Sequence, residues 1–119
     1  MARPTVYGIP NCEQIKKTLA WFAAKRIDIE FHDYKKAGID SERLERWVKK
    51  VGTETLLNRK GTTWRKLAPA AQAAAADDNK AIALMLEQPS LIKRPVVVAG
   101  AQIQVGYDPQ SLEAMVAPK

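Results

Sequence analysis

Thr5-Val6-Tyr7-Gly8-Ile9-Pro10-Asn11-Cys12-Glu13-Gln14-Ile15-Lys16 sets the architecture of this chain. Thr5 to Ile9 is short, β-branched and apolar, and Pro10-Asn11 stops it, so the segment reads as a strand. From Ile15 the apolar period becomes helical, with Ile15, Leu19 and Phe22 on one face. The only cysteine therefore stands where a strand turns into a helix, with Asn11 as the expected N-cap. Unpaired backbone N–H groups and the positive end of the helix dipole meet at such a point, and both favour thiolate over thiol. Lys16 and Lys17, one turn on, are expected to add positive charge. The competing reading is a small buried hydrophobe, which is what most free cysteines are.

Downstream, Ile27, Ile29 and Phe31 alternate with Asp28, Glu30 and His32, the period of a strand. Strand, helix and strand in so short a span make a βαβ unit, which requires the two strands to be parallel. His32, the sole histidine, falls on the polar side and reads as an exposed strand residue. Asp40 caps a second helix with Leu44, Trp47, Val48 and Val51 on its apolar face; Ile39 and Leu44 are spaced as a staple, and Gly52 ends it. Leu56 to Gly61 reads as a turn, with Thr62 or Thr63 as the next cap. Alanine-rich 68–76 is helical, with Pro69 near a helix start or at a break. Asp77-Asp78-Asn79 caps a further helix that turns Ile82, Met85 and Leu86 inward and ends at Gln88-Pro89. Val96 to Val98 and Gln102 to Val105 are strands joined at Ala99-Gly100-Ala101. Asp108-Pro109 then starts a last helix carrying Leu112, Met115 and Val116. The expected fold is α/β, a mixed four-stranded sheet in the order βαβα, helical insert, ββα. It forms one domain over residues 1–119, with a helical subdomain at about 53–90.

With 119 residues, 46% hydrophobic and 27% charged, the composition is that of a globular chain able to build one core. A single cysteine excludes an internal disulfide. It fits a reducing cytoplasm and a thiol chemistry whose second sulfur comes from outside. No apolar run reaches spanning length, so no membrane is expected. The net charge of +6 favours anionic partners. The basic pairs Lys16-Lys17, Lys25-Arg26, Lys35-Lys36, Lys49-Lys50 and Lys93-Arg94 are scattered and read as solvated faces, so no nucleic acid is expected. No metal site is expected either.

An activated thiol at the first strand–helix junction of this element order resembles the thioredoxin-like fold. Tyr7-Gly8-Ile9-Pro10-Asn11-Cys12, Leu56-Leu57-Asn58-Arg59, Lys93-Arg94-Pro95-Val96-Val97-Val98 and Val105-Gly106-Tyr107 narrow the likeness. The chain resembles the glutaredoxin-coupled arsenate reductase family, with its Spx and YffB-type relatives, nearly end to end, and the YffB-type branch most.

The resemblance implies Cys12 as nucleophile, Arg94 as an anion-binding arginine and Pro95 as a cis proline facing the thiol. Typical arsenate reductases of the family carry three such arginines. Here Asn58 stands in place of one, with Arg59 beside it, and Gly106-Tyr107-Asp108 stands where the third would be. Convergent cations are what a multiply charged oxyanion needs in transfer, so little arsenate turnover is expected. Spx-type regulators usually carry Cys-x-x-Cys, whereas Cys12-Glu13-Gln14-Ile15 lacks the second sulfur. The implied function is a glutathione-dependent thiol reductase with no bound cofactor. Glutathione is its co-substrate, glutaredoxin a candidate partner, and the substrate a small anion or thiol. Cys12 is catalytic, and Arg94, Arg59, Asn11, Pro95 and Asn58 bind substrate. The alternatives are an arsenate reductase proper and a non-catalytic Spx-like module that binds RNA polymerase.

Overall fold

In a computed structural model, residues 3–10 and 12–116 are described, and they divide into two compact units. The first unit takes the chain up to Ala37 and resumes at Arg94; the second is Gly38–Lys93.

The first unit is built on a sheet of four strands, β1 (Thr5–Gly8), β2 (Glu30–Asp33), β3 (Val96–Ala99) and β4 (Gln102–Val105), in the order β2-β1-β3-β4. β1 pairs parallel with β2 and antiparallel with β3, and β3 pairs antiparallel with β4. The mixed sheet and the parallel β1–β2 pair follow the expectation from the βαβ pattern. Ladder pairing in β2 starts at Glu30 rather than Ile27. The alternation holds before that point all the same, because Ile27, Ile29 and Phe31 all lean on the core.

Period two in β1 sends Val6 to one face and Tyr7 to the other. Val6 and Val97 form a core with Ile15 and Phe22 of α1 (Glu13–Ala24) and Leu112 and Met115 of α8 (Pro109–Val116). On the opposite face Tyr7 lies beside His32 at 4.9 Å between ring centroids, and Tyr34 lies 6.4 Å from Tyr7. His32 is thus a half-buried aromatic neighbour, not the exposed strand residue its alternation suggested. Tyr34 opens α2 (Tyr34–Ala37), a single turn that the sequence reading missed because one turn has no period. Asp108 starts α8 as expected: its Oδ1 accepts the Gln110 N–H at 3.1 Å and its Oδ2 the Ser111 hydroxyl at 3.0 Å.

The second unit holds α3 (Ser41–Val51), α4 (Thr53–Leu56), α5 (Thr62–Arg65), α6 (Pro69–Ala74), α7 (Asp78–Glu87) and a 3-10 turn (Pro89–Leu91). It includes α3, ahead of the residues read as the insert, because α3 packs on α4 and α7. Asp40 caps α3 by accepting the Arg43 N–H at 2.7 Å, and Asp77 caps α7 by accepting the Lys80 N–H at 3.0 Å. Gly52 ends α3 at φ 81°, a backbone conformation that costs other residues strain. Pro69 is the first residue of α6, as expected. The cap of α5 is corrected: Gly61 holds that position, and Thr62 begins the helix. Val51 and Leu86 are half-buried, at the margins of their apolar faces. Among the described residues no helix is long and apolar enough to cross a membrane.

Candidate active site

Cys12 is the N-cap residue of α1, one position later than the cap expected at Asn11. Asn11 itself lies outside the described residues. Cys12 has extended backbone (φ −100°, ψ 132°), and its carbonyl accepts the Lys16 N–H at 2.9 Å, the first bond of the helix. Its thiol is half-buried and leans on the core of the first unit. The helix starts here because Ile15 and Phe22 must reach the sheet core, and that requirement fixes where the sulfur stands.

Three influences compete at this sulfur. Burial pushes the thiol pKa up. The backbone N–H groups of Ile15 and Gln14 and the Arg94 guanidinium push it down, and together they win, so the pKa lies below that of an ordinary cysteine. The amides act as oriented dipoles at the open end of the helix, since the Cys12 side chain closes no formal capping hydrogen bond. Arg94 acts both through its charge and as a donor beside the sulfur. The positive charge expected from Lys16 and Lys17 is not what acts on the thiol; both lysines are exposed, and Arg94 supplies the cation.

Arg94 is half-buried and Pro95 buried, and the peptide between them is cis, as the resemblance implied. β3 follows at once and pairs with β1, so Arg94 enters the sheet beside the strand that ends just before Cys12. The Pro95 carbonyl accepts the Gly106 N–H at 2.8 Å, which ties the loop after β4 to this corner. In that loop Tyr107 leans on the core and Asp108 caps α8, both scaffold roles.

Asn58 and Arg59 belong to the second unit. The Asn58 N–H donates to the Leu91 carbonyl at 2.7 Å and its side-chain oxygen accepts the Lys60 N–H at 3.1 Å, so Asn58 shapes its own loop. Arg59 is exposed, with its guanidinium carbon 5.6 Å from the centroid of the Trp64 ring. The structure thus brings Cys12 and Arg94 together within one unit.

The free amides that sequence reasoning expected at the helix start are those of Gln14 and Ile15. It missed Gly8, where an added Cβ would run into the Ile15 side chain. Glycine there lets β1 and the first turn of α1 approach closely. Among the described residues no group of three or more His, Cys, Asp or Glu could hold a metal ion.

Residues 7–115 match the model of the ArsC family. The structure superposes on that of the YFFB protein with a TM-score of 0.92 and 46% identity, covering 96% of this chain and 99% of that one. An arsenate reductase (ArsC) related protein from Brucella melitensis matches with a TM-score of 0.76 and 45% identity, over 98% of this chain and 96% of that one. More distant is the global transcriptional regulator Spx of Streptococcus agalactiae, 23% identical over 92% of this chain and 80% of its own length.

Proposed function

Because this chain belongs to the ArsC family, with its thioredoxin-like fold, we propose that it is a thiol reductase using Cys12 as nucleophile and glutathione as co-substrate. The observation that carries the reading is the Cys12 thiol on the open end of α1 beside Arg94, its pKa drawn down despite partial burial. A sulfur so placed carries more thiolate at neutral pH than an ordinary cysteine, and the thiolate is the attacking form.

The Cys12 thiolate attacks one sulfur of an oxidised substrate, R–S–S–R′. A Cys12–S–S–R bond forms, the substrate S–S bond breaks, and R′S⁻ leaves and takes up a proton. Glutathione thiolate then attacks the Cys12 sulfur, giving Cys12–S–S–glutathione and RS⁻. A second external thiol, from glutathione or glutaredoxin, attacks the glutathione sulfur and releases Cys12 as thiolate. Two thiols are oxidised to one disulfide for each substrate disulfide reduced. The second sulfur must come from outside these 119 residues because Cys12 is their only cysteine. Arg94 holds a glutathione carboxylate or a substrate oxyanion, for which its planar fork is suited. Pro95 fixes the backbone next to it. Asn11 is assigned a secondary binding role, and the setting is a reducing cytoplasm.

The test is intact mass after treatment with oxidised glutathione. One glutathionyl adduct on the wild type, absent from Cys12→Ser and removed by excess reduced glutathione, is the expected result. A wild type that stays unmodified at alkaline pH, where every thiol is reactive, overturns the reading.

A further inference from the structure

Within the second unit, four cations flank one short helical turn, and one of them lies over an indole. Arg59 and Lys60 follow the Leu57–Ile92 bridge, Gly61 opens the single turn of α5, and Arg65 and Lys66 close it. The Arg65 N–H bonds to the Gly61 carbonyl at 3.2 Å and the Lys66 N–H to the Thr62 carbonyl at 3.1 Å. One turn rises only about 5.4 Å, so the two basic pairs are neighbours at its ends. The Arg59 guanidinium lies over the ring of Trp64, which belongs to the turn itself. The turn is held from behind, where the Gln72 side-chain amide donates to the Trp64 carbonyl at 2.9 Å.

All four cations are exposed, and Trp64 is half-buried. Among the described residues none of the four cations forms an ion pair that would neutralise it. From Thr55 to Ala76 the sequence contains no Asp or Glu. Like charges held this close repel one another, and a polyanion that displaces their counterions relieves that repulsion. A scan for basic runs passes over the cluster because Gly61 to Trp64 interrupt it.

We infer that this cluster binds single-stranded nucleic acid, a function separate from the thiol chemistry of Cys12. Lys60, Arg65 and Lys66 take successive phosphates, and the guanidinium laid on the indole gives a base a planar surface to stack on. Stacking favours nucleic acid over an acidic protein surface, which charge alone would attract. It favours a single strand over a duplex, whose base faces are already covered.

The experiment is fluorescence anisotropy of a labelled oligothymidylate titrated with the full chain at several salt concentrations. The chain is expected to bind with a Kd on the order of 10⁻⁴ to 10⁻⁶ M, and the affinity to fall steeply with salt. Lys60→Ala/Arg65→Ala/Lys66→Ala should lose roughly tenfold or more and flatten the salt slope by about 2, near 0.7 for each phosphate contact. Lys36→Ala/Lys49→Ala/Lys80→Ala removes the same charge from other exposed positions and should lose much less. Trp64→Leu should weaken oligothymidylate binding while leaving polyphosphate binding unchanged. The Cys12 alkylation rate should be the same in all these variants. Equal losses in the two triple variants, or polyglutamate bound as tightly as the oligonucleotide, overturn the proposal. So does a Trp64→Leu variant that binds the oligonucleotide like wild type.

Discussion

Cys12 and Arg94 make a pair whose consequences can be measured in each direction. The folded thiol has a depressed pKa, so its alkylation by iodoacetamide should reach half-maximal rate below the roughly 8.5 of a free cysteine. The same depression links to stability. Above the unfolded pKa the thiolate's contribution is fully present, and it is lost as pH falls through the folded value. Unfolding free energy should therefore rise with pH across that window in the wild type, and Cys12→Ser should lack the rise. A midpoint at or above the free-cysteine value would remove the activated thiol and most of the enzymatic reading with it. Arg94→Ala should raise the Cys12 pKa and weaken glutathione. A charge-assisted hydrogen bond is worth about 1.5–3 kcal/mol, on the order of tenfold to a hundredfold in affinity. Arg94→Lys should restore only part, since it keeps the charge and loses the fork. With Arg94 as the cation beside the thiol, arsenate-dependent glutathione oxidation should stay near background when glutaredoxin is supplied. Robust turnover would show that other cations complete an oxyanion site.

At the scale of elements, the site depends on how closely β1 and α1 approach. A Cβ at Gly8 would strike Ile15, whose amide is one of the dipoles acting on the Cys12 sulfur. Gly8→Ala should cost about 1–3 kcal/mol as an overpacked contact and should also raise the alkylation midpoint of Cys12. A stability loss with an unmoved midpoint would mean that Ile15 yields without disturbing the first turn. Elements of this kind were legible in the sequence wherever local chemistry and period agreed. Asp40, Asp77 and Asp108 cap the helices assigned to them, the apolar β-branched runs became β1 and β3, and the alternating runs became β2 and β4. What stayed illegible has physical causes. The single turns α2, α4 and α5 are too short to show a 3.6-residue period. The α1 cap fell on Cys12, a residue type with weak capping preference, because packing of Ile15 and Phe22 outweighed the local signal of Asn11. The lysines next to the thiol were conspicuous in sequence, whereas Arg94 reaches it only through the β1–β3 pairing, a contact across some eighty residues that no local pattern reports.

At the scale of the molecule, stability and thiol activation rest on different groups, core side chains for the one and two amides with a guanidinium for the other, and this separation can be tested. The first unit's core is formed by Val6, Ile15, Phe22, Val97, Leu112 and Met115, all buried. The Cys12 pKa is raised by burial and lowered by two amides and one guanidinium. Leu112 is fully buried on α8, away from the first turn of α1 in sequence, and is none of the groups that lower that pKa. Leu112→Ala should cost about 2–5 kcal/mol, a large share of the 5–15 kcal/mol typical of a domain. The melting temperature should drop by roughly 10 °C or more at this chain length. The Cys12 alkylation midpoint, measured well below the melting temperature, should stay where it is. Arg94→Ala should do the reverse, shifting the midpoint upward while the melting temperature stays within a few degrees, since a half-buried arginine contributes little to the core. If Leu112→Ala also moved the midpoint, the position of α1 against the sheet would control the thiol directly. The activation of Cys12 would then be a property of the whole first unit and not of its local pair.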